Sequence, residues 1–180
     1  GGETFPYRGN GIRIPTLKEA LAAAPDHRFF IEMKDGADIG RAMAAVIREA
    51  GAARRCVVAS LSPLYLEAFR AHAPEVATTY DLISAADMLA ALRGGDWEGY
   101  QPAHRMLALS QDLKEQFDLT TEELNHIKRK GILISFFTLN TREEMQQAID
   151  LGADNILTDR PSMLAALIEE RNKSKVPGSE

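Results

Sequence analysis

Glu32 and Lys34 are the residues whose types and spacing first ask for a chemical explanation. They lie in Phe29-Phe30-Ile31-Glu32-Met33-Lys34, a run rich in strand formers and closed by Asp35-Gly36. Residues two apart on a strand share a face, so Phe30, Glu32 and Lys34 project to one side and Phe29, Ile31 and Met33 to the other. A strand of a parallel sheet is normally covered on both faces. Charges at its end must therefore pair, bind a metal or meet a charged ligand, because burying them unmatched costs several kcal/mol. Two readings stand. One is a plain Glu–Lys pair at a solvated strand end. The other is a carboxylate able to ligate a hard divalent cation beside an ammonium able to meet a phosphate.

The four histidines offer less. His72 and His126 fall within helical patterns, and His27 precedes a strand. His104, in Gln101-Pro102-Ala103-His104-Arg105, lies at the start of a strand, the wrong end for catalysis in a parallel sheet. No Ser-His-Asp order, His-Glu-x-x-His or paired-His metal spacing occurs, so the chain presents no general acid or base of its own. Cys56 is the only cysteine, which excludes an internal disulfide and a cysteine-based zinc site.

The elements that must position these groups alternate along the chain. Pro15-Thr16-Leu17-Lys18-Glu19 announces a first helix with a capping box, ended by Pro25. Strands are expected at 29–34, 56–60, 76–80, 106–109, 132–138 and 154–158. Helices are expected at 41–50, 63–73, 84–92, 121–130, 142–151 and 162–171. Ser62-Pro63 supplies a capping hydroxyl and a first-turn proline, while Thr120 with Glu123 and Thr141 with Glu144 repeat the capping box. The polar tail 172–180, with Pro177-Gly178, reads as disordered, leaving 1–171 as one domain.

Six strands alternating with helices imply a parallel sheet covered by helices, either an open doubly wound sheet or part of a (β/α)₈ barrel. No Gly-x-Gly-x-x-Gly follows a strand, which disfavours dinucleotide binding. A full barrel needs eight strands and roughly 250 residues; 180 residues fall short by two strands. In both architectures the useful side chains lie at the carboxyl ends of the strands. Those ends read Glu32/Lys34/Asp35, Ser60/Ser62, Tyr80/Asp81, Ser110/Gln111/Asp112, Asn140/Thr141 and Thr158/Asp159/Arg160. Ser62, Thr141 and Asp159 are also explained as helix starts.

Composition sets the outer bounds. Lys and Arg number 21 against 26 Asp and Glu, a net charge of −5, which argues against a nucleic-acid partner. Hydrophobic residues make up 45% and charged residues 26%, as in ordinary globular domains. No apolar run approaches the ~20 residues needed to span a bilayer. The first residues carry neither the basic nor the apolar stretch of a secretory signal.

The motifs taken together resemble glycerophosphodiester phosphodiesterases. Ile14-Pro15-Thr16-Leu17-Lys18-Glu19-Ala20-Leu21, Phe30-Ile31-Glu32-Met33-Lys34, Val57-Val58-Ala59-Ser60, Phe137-Thr138-Leu139-Asn140 and Gly152-Ala153-Asp154-Asn155-Ile156-Leu157-Thr158-Asp159-Arg160-Pro161 stand in that family's order. The resemblance implies a TIM-type (β/α)₈ barrel, here incomplete with about six parallel strands. It also implies hydrolysis of glycerophosphodiesters, a small-molecule substrate, to an alcohol and glycerol 3-phosphate with a divalent metal ion, Mg²⁺ or Ca²⁺. Glu32 matches the family's third metal-binding carboxylate and Lys34 its lysine near the phosphate. Phe137 stands where most members carry a Trp lining the substrate pocket, and Asn140 matches that motif's Asn; the resemblance makes both, with Lys34, candidate substrate-binding residues, Asn140 by shaping the loop. The family's His-Arg-Gly, Glu-x-Asp and His-Asp motifs have no counterpart here, so no catalytic histidine is expected in this chain. It resembles the carboxyl-terminal three-quarters of the barrel, expected to be inactive alone. Edges left exposed by the missing strands should pair with the absent amino-terminal segment or with a second copy. The rival readings are a non-catalytic binding or regulatory protein on a degenerate barrel, and another phosphate-binding α/β enzyme.

Overall fold

The computed structural model describes residues 4, 7–34 and 36–175. Asp35 and residues 176–180, both part of the expectations above, lie outside them. The described chain forms two compact units, divided after Val76.

The first unit contains α1 (Leu17–Ala23), β1 (Phe29–Glu32), α2 (Ala37–Glu49), a 3-10 turn (Ala53–Arg55), β2 (Cys56–Ala59) and α3 (Pro63–His72). α1 begins as expected: the Thr16 hydroxyl accepts from Glu19 N–H, and the Glu19 carboxylate accepts from Thr16 N–H at 2.8 Å. Arg13 grips the same carboxylate. The other end of α1 is closed by Arg55, whose guanidinium donates to the carbonyls of Leu21 (2.8 Å), Ala24 (3.0 Å) and His27 (3.1 Å). These include carbonyls that a helix end cannot satisfy internally. The guanidinium also lies 5.2 Å from the Phe29 ring centre, a cation–π contact.

β1 and β2 run parallel, with Phe29 opposite Cys56 and Glu32 opposite Ala59. Leu21, Met33, Ile47, Val58, Leu66 and Phe69 fill the core between sheet and helices. α2 starts four residues earlier than its periodicity predicts, because Gly36 at φ 69 supplies a turn that lets Ala37 enter the helix. α3 starts at Pro63 as expected, but the Ser62 side chain makes no capping bond; its N–H donates to Ser60 Oγ at 3.2 Å instead. Gly40 marks the tightest approach of α2 to α3. A Cβ built there would stand 3.1 Å from Phe69 N and 3.2 Å from its Cα.

The second unit contains β3 (Ala77–Thr78), α4 (Leu82–Gly94), β4 (Met106–Leu109), α5 (Gln111–Gln116), α6 (Thr121–Arg129), β5 (Leu133–Phe136), α7 (Arg142–Asp150), β6 (Asn155–Ile156) and α8 (Pro161–Lys175). β4 pairs parallel with β5 and β5 with β6, while a parallel bridge from Thr79 to Met106 sets the end of β3 beside β4. Leu109, Leu124, Ile127, Ile132, Ile134 and Met145 form the core of this unit. Ser135 of β5 is fully buried, and Asn155 Nδ2 satisfies its hydroxyl at 2.8 Å.

The strands β3, β5 and β6 are shorter than the expected 76–80, 132–138 and 154–158, and three helices of this unit also differ from expectation. α4 starts at Leu82, before the expected Ser84, because Asp81 caps it, accepting from Ile83 N–H (2.9 Å) and Ser84 N–H (3.1 Å). α5 is six residues long, too short to show a helical period in sequence. α8 continues past Arg171 to Lys175, so the boundary of the tail set at 172 is corrected. Nothing between Asn172 and Lys175 breaks a helix, and Ser174 Oγ donates back to the Glu170 carbonyl at 3.0 Å; the first breaker is Pro177.

The fold class is α/β with six parallel strands, each followed by helix, as in a TIM-type barrel represented by part of its strands.

Two outcomes follow for stability. Gly40→Ala gains helix propensity but drives a methyl into backbone that cannot swing aside, so net destabilisation of about 1–3 kcal/mol is expected in urea unfolding. Glu123 accepts from Arg93 at 2.6 Å and from the cap of α6, with the arginine the larger cause, and its carboxyl is held down to about 2. A depressed folded-state value stabilises above the ordinary carboxylate range and is lost as pH falls through the folded value. Glu123→Gln should therefore cost about 1 kcal/mol at neutral pH after solvent screening. The difference from the parent should vanish between pH 4.5 and about 2, measured by thermal melts across that window.

Candidate active site

The charged pair of the first unit stands where strand alternation puts it. β1 ends at Glu32, short of the expected Lys34, but Met33 N–H still donates to the Ala59 carbonyl at 2.7 Å, so pairing runs one residue further. Met33 is buried, and Glu32 and Lys34 both emerge on the opposite side. Their side chains meet, Lys34 Nζ to Glu32 Oε1, at 2.8 Å. The Lys34 side chain is 77% exposed and that of Glu32 36%. The simpler of the two readings is thus the arrangement seen: a solvated ion pair at the carboxyl end of a parallel strand. It leaves both groups accessible to a ligand.

Those two groups do not make a cation site by themselves. Ca²⁺ and Mg²⁺ take about six or more oxygen ligands, and Glu32 offers one carboxylate. Among the described residues, no group of three or more His, Cys, Asp and Glu could hold a metal ion.

Phe137 and Asn140 belong to the second unit, just beyond β5. Phe137 is half-buried, its N–H donating to the Leu109 carbonyl at 3.0 Å. The Asn140 carboxamide oxygen accepts from Thr158 Oγ1 (3.2 Å) and from Asp159 N–H (2.9 Å). Its Nδ2 donates to Asp159 Oδ2 at 2.9 Å. Asp159 is accordingly engaged with Asn140. No local pattern in the sequence announces this partnership, which joins Asn140 to the Thr158-Asp159-Arg160-Pro161 motif.

Several of the other candidates, at strand ends and among the histidines, have structural partners. Asp81 caps α4; burial works to raise its carboxyl, and bonds from Ser84 and Ile83 with the nearby His104 ring outweigh that and lower it. Ser60 Oγ donates to the Met33 carbonyl at 3.1 Å. The His104 side chain is enclosed, with Nδ1 2.8 Å from Thr78 Oγ1, its Nε2 3.9 Å from Asp81 Oδ2, and its ring edge-on to Tyr80. Tyr80, buried and bonded to the Tyr100 hydroxyl, has its phenol pushed up for those two reasons. The His126 ring stands 3.9 Å from Glu122 on the face of α6.

In each unit parallel strands alternate with helices and carry polar side chains at their carboxyl ends, the pattern of an α/β chain of the TIM-barrel class. Residues 1–163 match the sequence profile of the glycerophosphoryl diester phosphodiesterase family, and the chain belongs to that family. A glycerophosphodiester phosphodiesterase of Caldanaerobacter subterraneus is 26% identical over 175 residues, covering 94% of this chain and 68% of the relative. An uncharacterized protein of Mycobacterium tuberculosis, Rv2277c, is also 26% identical, over 89% of this chain and 60% of its own length. The chain therefore spans about three-fifths to two-thirds of these curated relatives. The crystal structure of the glycerophosphoryl diester phosphodiesterase domain of Rv2277c is similar with a TM-score of 0.68 at 20% identity, covering 94% of this chain and 68% of that one. A phosphodiesterase of Oleispira antarctica, solved with the product sn-glycerol-3-phosphate, is similar at 19% identity with a TM-score of 0.62, covering 86% of this chain and 61% of that one.

An exposed ion pair contributes little to folding. Glu32→Gln and Lys34→Met are each expected to shift stability by less than about 0.5 kcal/mol in urea unfolding. A larger loss would mean that the pair is structural.

Proposed function

We propose that these residues form part of a phosphodiesterase that hydrolyses glycerophosphodiesters to an alcohol and glycerol 3-phosphate with a divalent cation, Mg²⁺ or Ca²⁺. The observation that carries this reading is the family match across residues 1–163. The Oleispira neighbour bound to sn-glycerol-3-phosphate supports the same substrate class.

Glu32 would supply one carboxylate to the cation, the other ligands coming from parts of the family motif this chain does not contain. When bound, such a cation would supply positive charge against the phosphate. Lys34, whose ammonium stands in solvent beside Glu32, would meet a phosphate oxygen as a point charge. In the second unit, Phe137 would play the substrate-lining part of the family's aromatic residue, and Asn140 would hold the loop beside it. Protons would be moved by histidines outside this chain, since its own four match none of the family's histidine motifs.

The terminal strands bear on assembly. β1 and β6 each close one end of a strand order. Beside β6 lies an apolar groove of about 430 Å³ lined by Ile156, Leu157, Pro161, Leu164, Ala165 and Ile168. An open edge with apolar side chains next to it favours pairing with another strand. In this reading that strand comes from the segment completing the barrel or from a second copy.

Purified chain with glycerophosphocholine and added Mg²⁺ or Ca²⁺ is expected to release no glycerol 3-phosphate above buffer, whereas turnover by the isolated chain refutes its inactivity. In a protein that includes the histidine motifs, Lys34→Ala should lower kcat/KM by roughly 10²-fold, as for loss of one group that stabilises developing charge. Wild-type-like turnover by that variant would remove Lys34 from the site.

A further inference from the structure

We propose that Asn140 is a positioning residue, with Asp159 as its partner, that latches the β5–α7 loop to the β6–α8 loop instead of contacting substrate. The inference deepens the proposed phosphodiesterase reading and rests on it for the identity of the site.

The hydrogen-bonding capacity of the side chain argues for it. A carboxamide oxygen has two lone pairs and its nitrogen two hydrogens. Both oxygen positions are taken, by the Thr158 hydroxyl at 3.2 Å and Asp159 N–H at 2.9 Å. One nitrogen position is taken by Asp159 Oδ2 at 2.9 Å. Little is left for a ligand.

The network continues on both sides. Thr158 Oγ1 accepts from Arg160 N–H at 2.9 Å, which sets the turn into α8. On the other side, Glu144 Oε2 accepts from the backbone N–H groups of Asn140 (3.1 Å) and Thr141 (3.0 Å), fixing the start of α7. Leu139, buried between these bonds and the sheet, donates its N–H to the Leu157 carbonyl at 3.0 Å. The side chain at 140 thus ties together two helix starts and two strand ends, three residues beyond the aromatic Phe137.

The residue type follows from the geometry. Asp159 presents a carboxylate and an N–H to the same neighbour, so that neighbour must donate and accept at once. A carboxylate at 140 would face like charge, and an isosteric Leu would offer neither function.

The test is amide hydrogen exchange on the 180-residue chain. Asn140→Ala should speed exchange at Asp159 and Arg160 N–H by at least about 10-fold, while the sheet amides of Phe137 and Leu157 stay unchanged. N140D should do the same through charge repulsion. The reciprocal pair N140D/D159N restores one donor and one carboxylate across the gap and should return exchange to within about 3-fold of the parent. A substrate-contact role gives a different pattern, and unchanged exchange in Asn140→Ala overturns the latch. So does an N140D/D159N protein no better protected than N140D, whether or not the single variants also loosen the sheet. No arm uses turnover, so a parent protein lacking phosphodiesterase activity would overturn the activity reading and leave the latch standing.

Discussion

Parallel strand pairing is the constraint from which the rest of this chain follows. Evenly spaced backbone bonds run from Phe29 opposite Cys56 to Glu32 opposite Ala59, and again from Met106 opposite Leu133 to Leu109 opposite Phe136. Each such pair needs a helical crossover, and the helices pack against the sheet. Polar side chains are then displaced to the ends of strands, where the crossover has not yet begun. Glu32, Lys34, Asp81, Asn140 and Asp159 all lie in such stretches. Their position is a result of chain geometry before it is a matter of chemistry.

What separates these residues from one another is the partner each has found. Asp81 holds the first turn of α4, and Asp159 holds Asn140. Among the described residues, Glu32 and Lys34 pair with each other, in solvent, at 2.8 Å. An exposed pair of that kind contributes little to folding and gives up little when a ligand replaces one member. That contrast between committed and uncommitted polar groups distinguishes scaffold from candidate chemistry here, where residue type alone would not.

The features legible in the sequence were the local ones. Thr16, Thr120 and Thr141 each cap a helix with a glutamate three residues on, and each box is present. Strand alternation placed Glu32 and Lys34 on one side, with Met33 buried opposite. The capping of α4 was missed because Ser84 takes the place where a Glu or Gln is the usual signal. Ser62 was read as a cap from its type, but its N–H found the Ser60 hydroxyl. The bonds from Asn140 to Thr158 and Asp159 join residues 18 and 19 apart, a separation that carries no periodic signature. The family resemblance ordered these motifs along the chain; only the folded backbone showed which of them touch.

Arg55 illustrates a different kind of dependence. Its planar fork reaches three carbonyls while its face covers an aromatic ring. A lysine would keep the positive charge yet carry a single nitrogen without a flat surface, and it would have to abandon most of these contacts. Shape, more than ionisation, is what this position demands, and an exchange that looks conservative on paper would unfasten the first helix from the sheet beneath it.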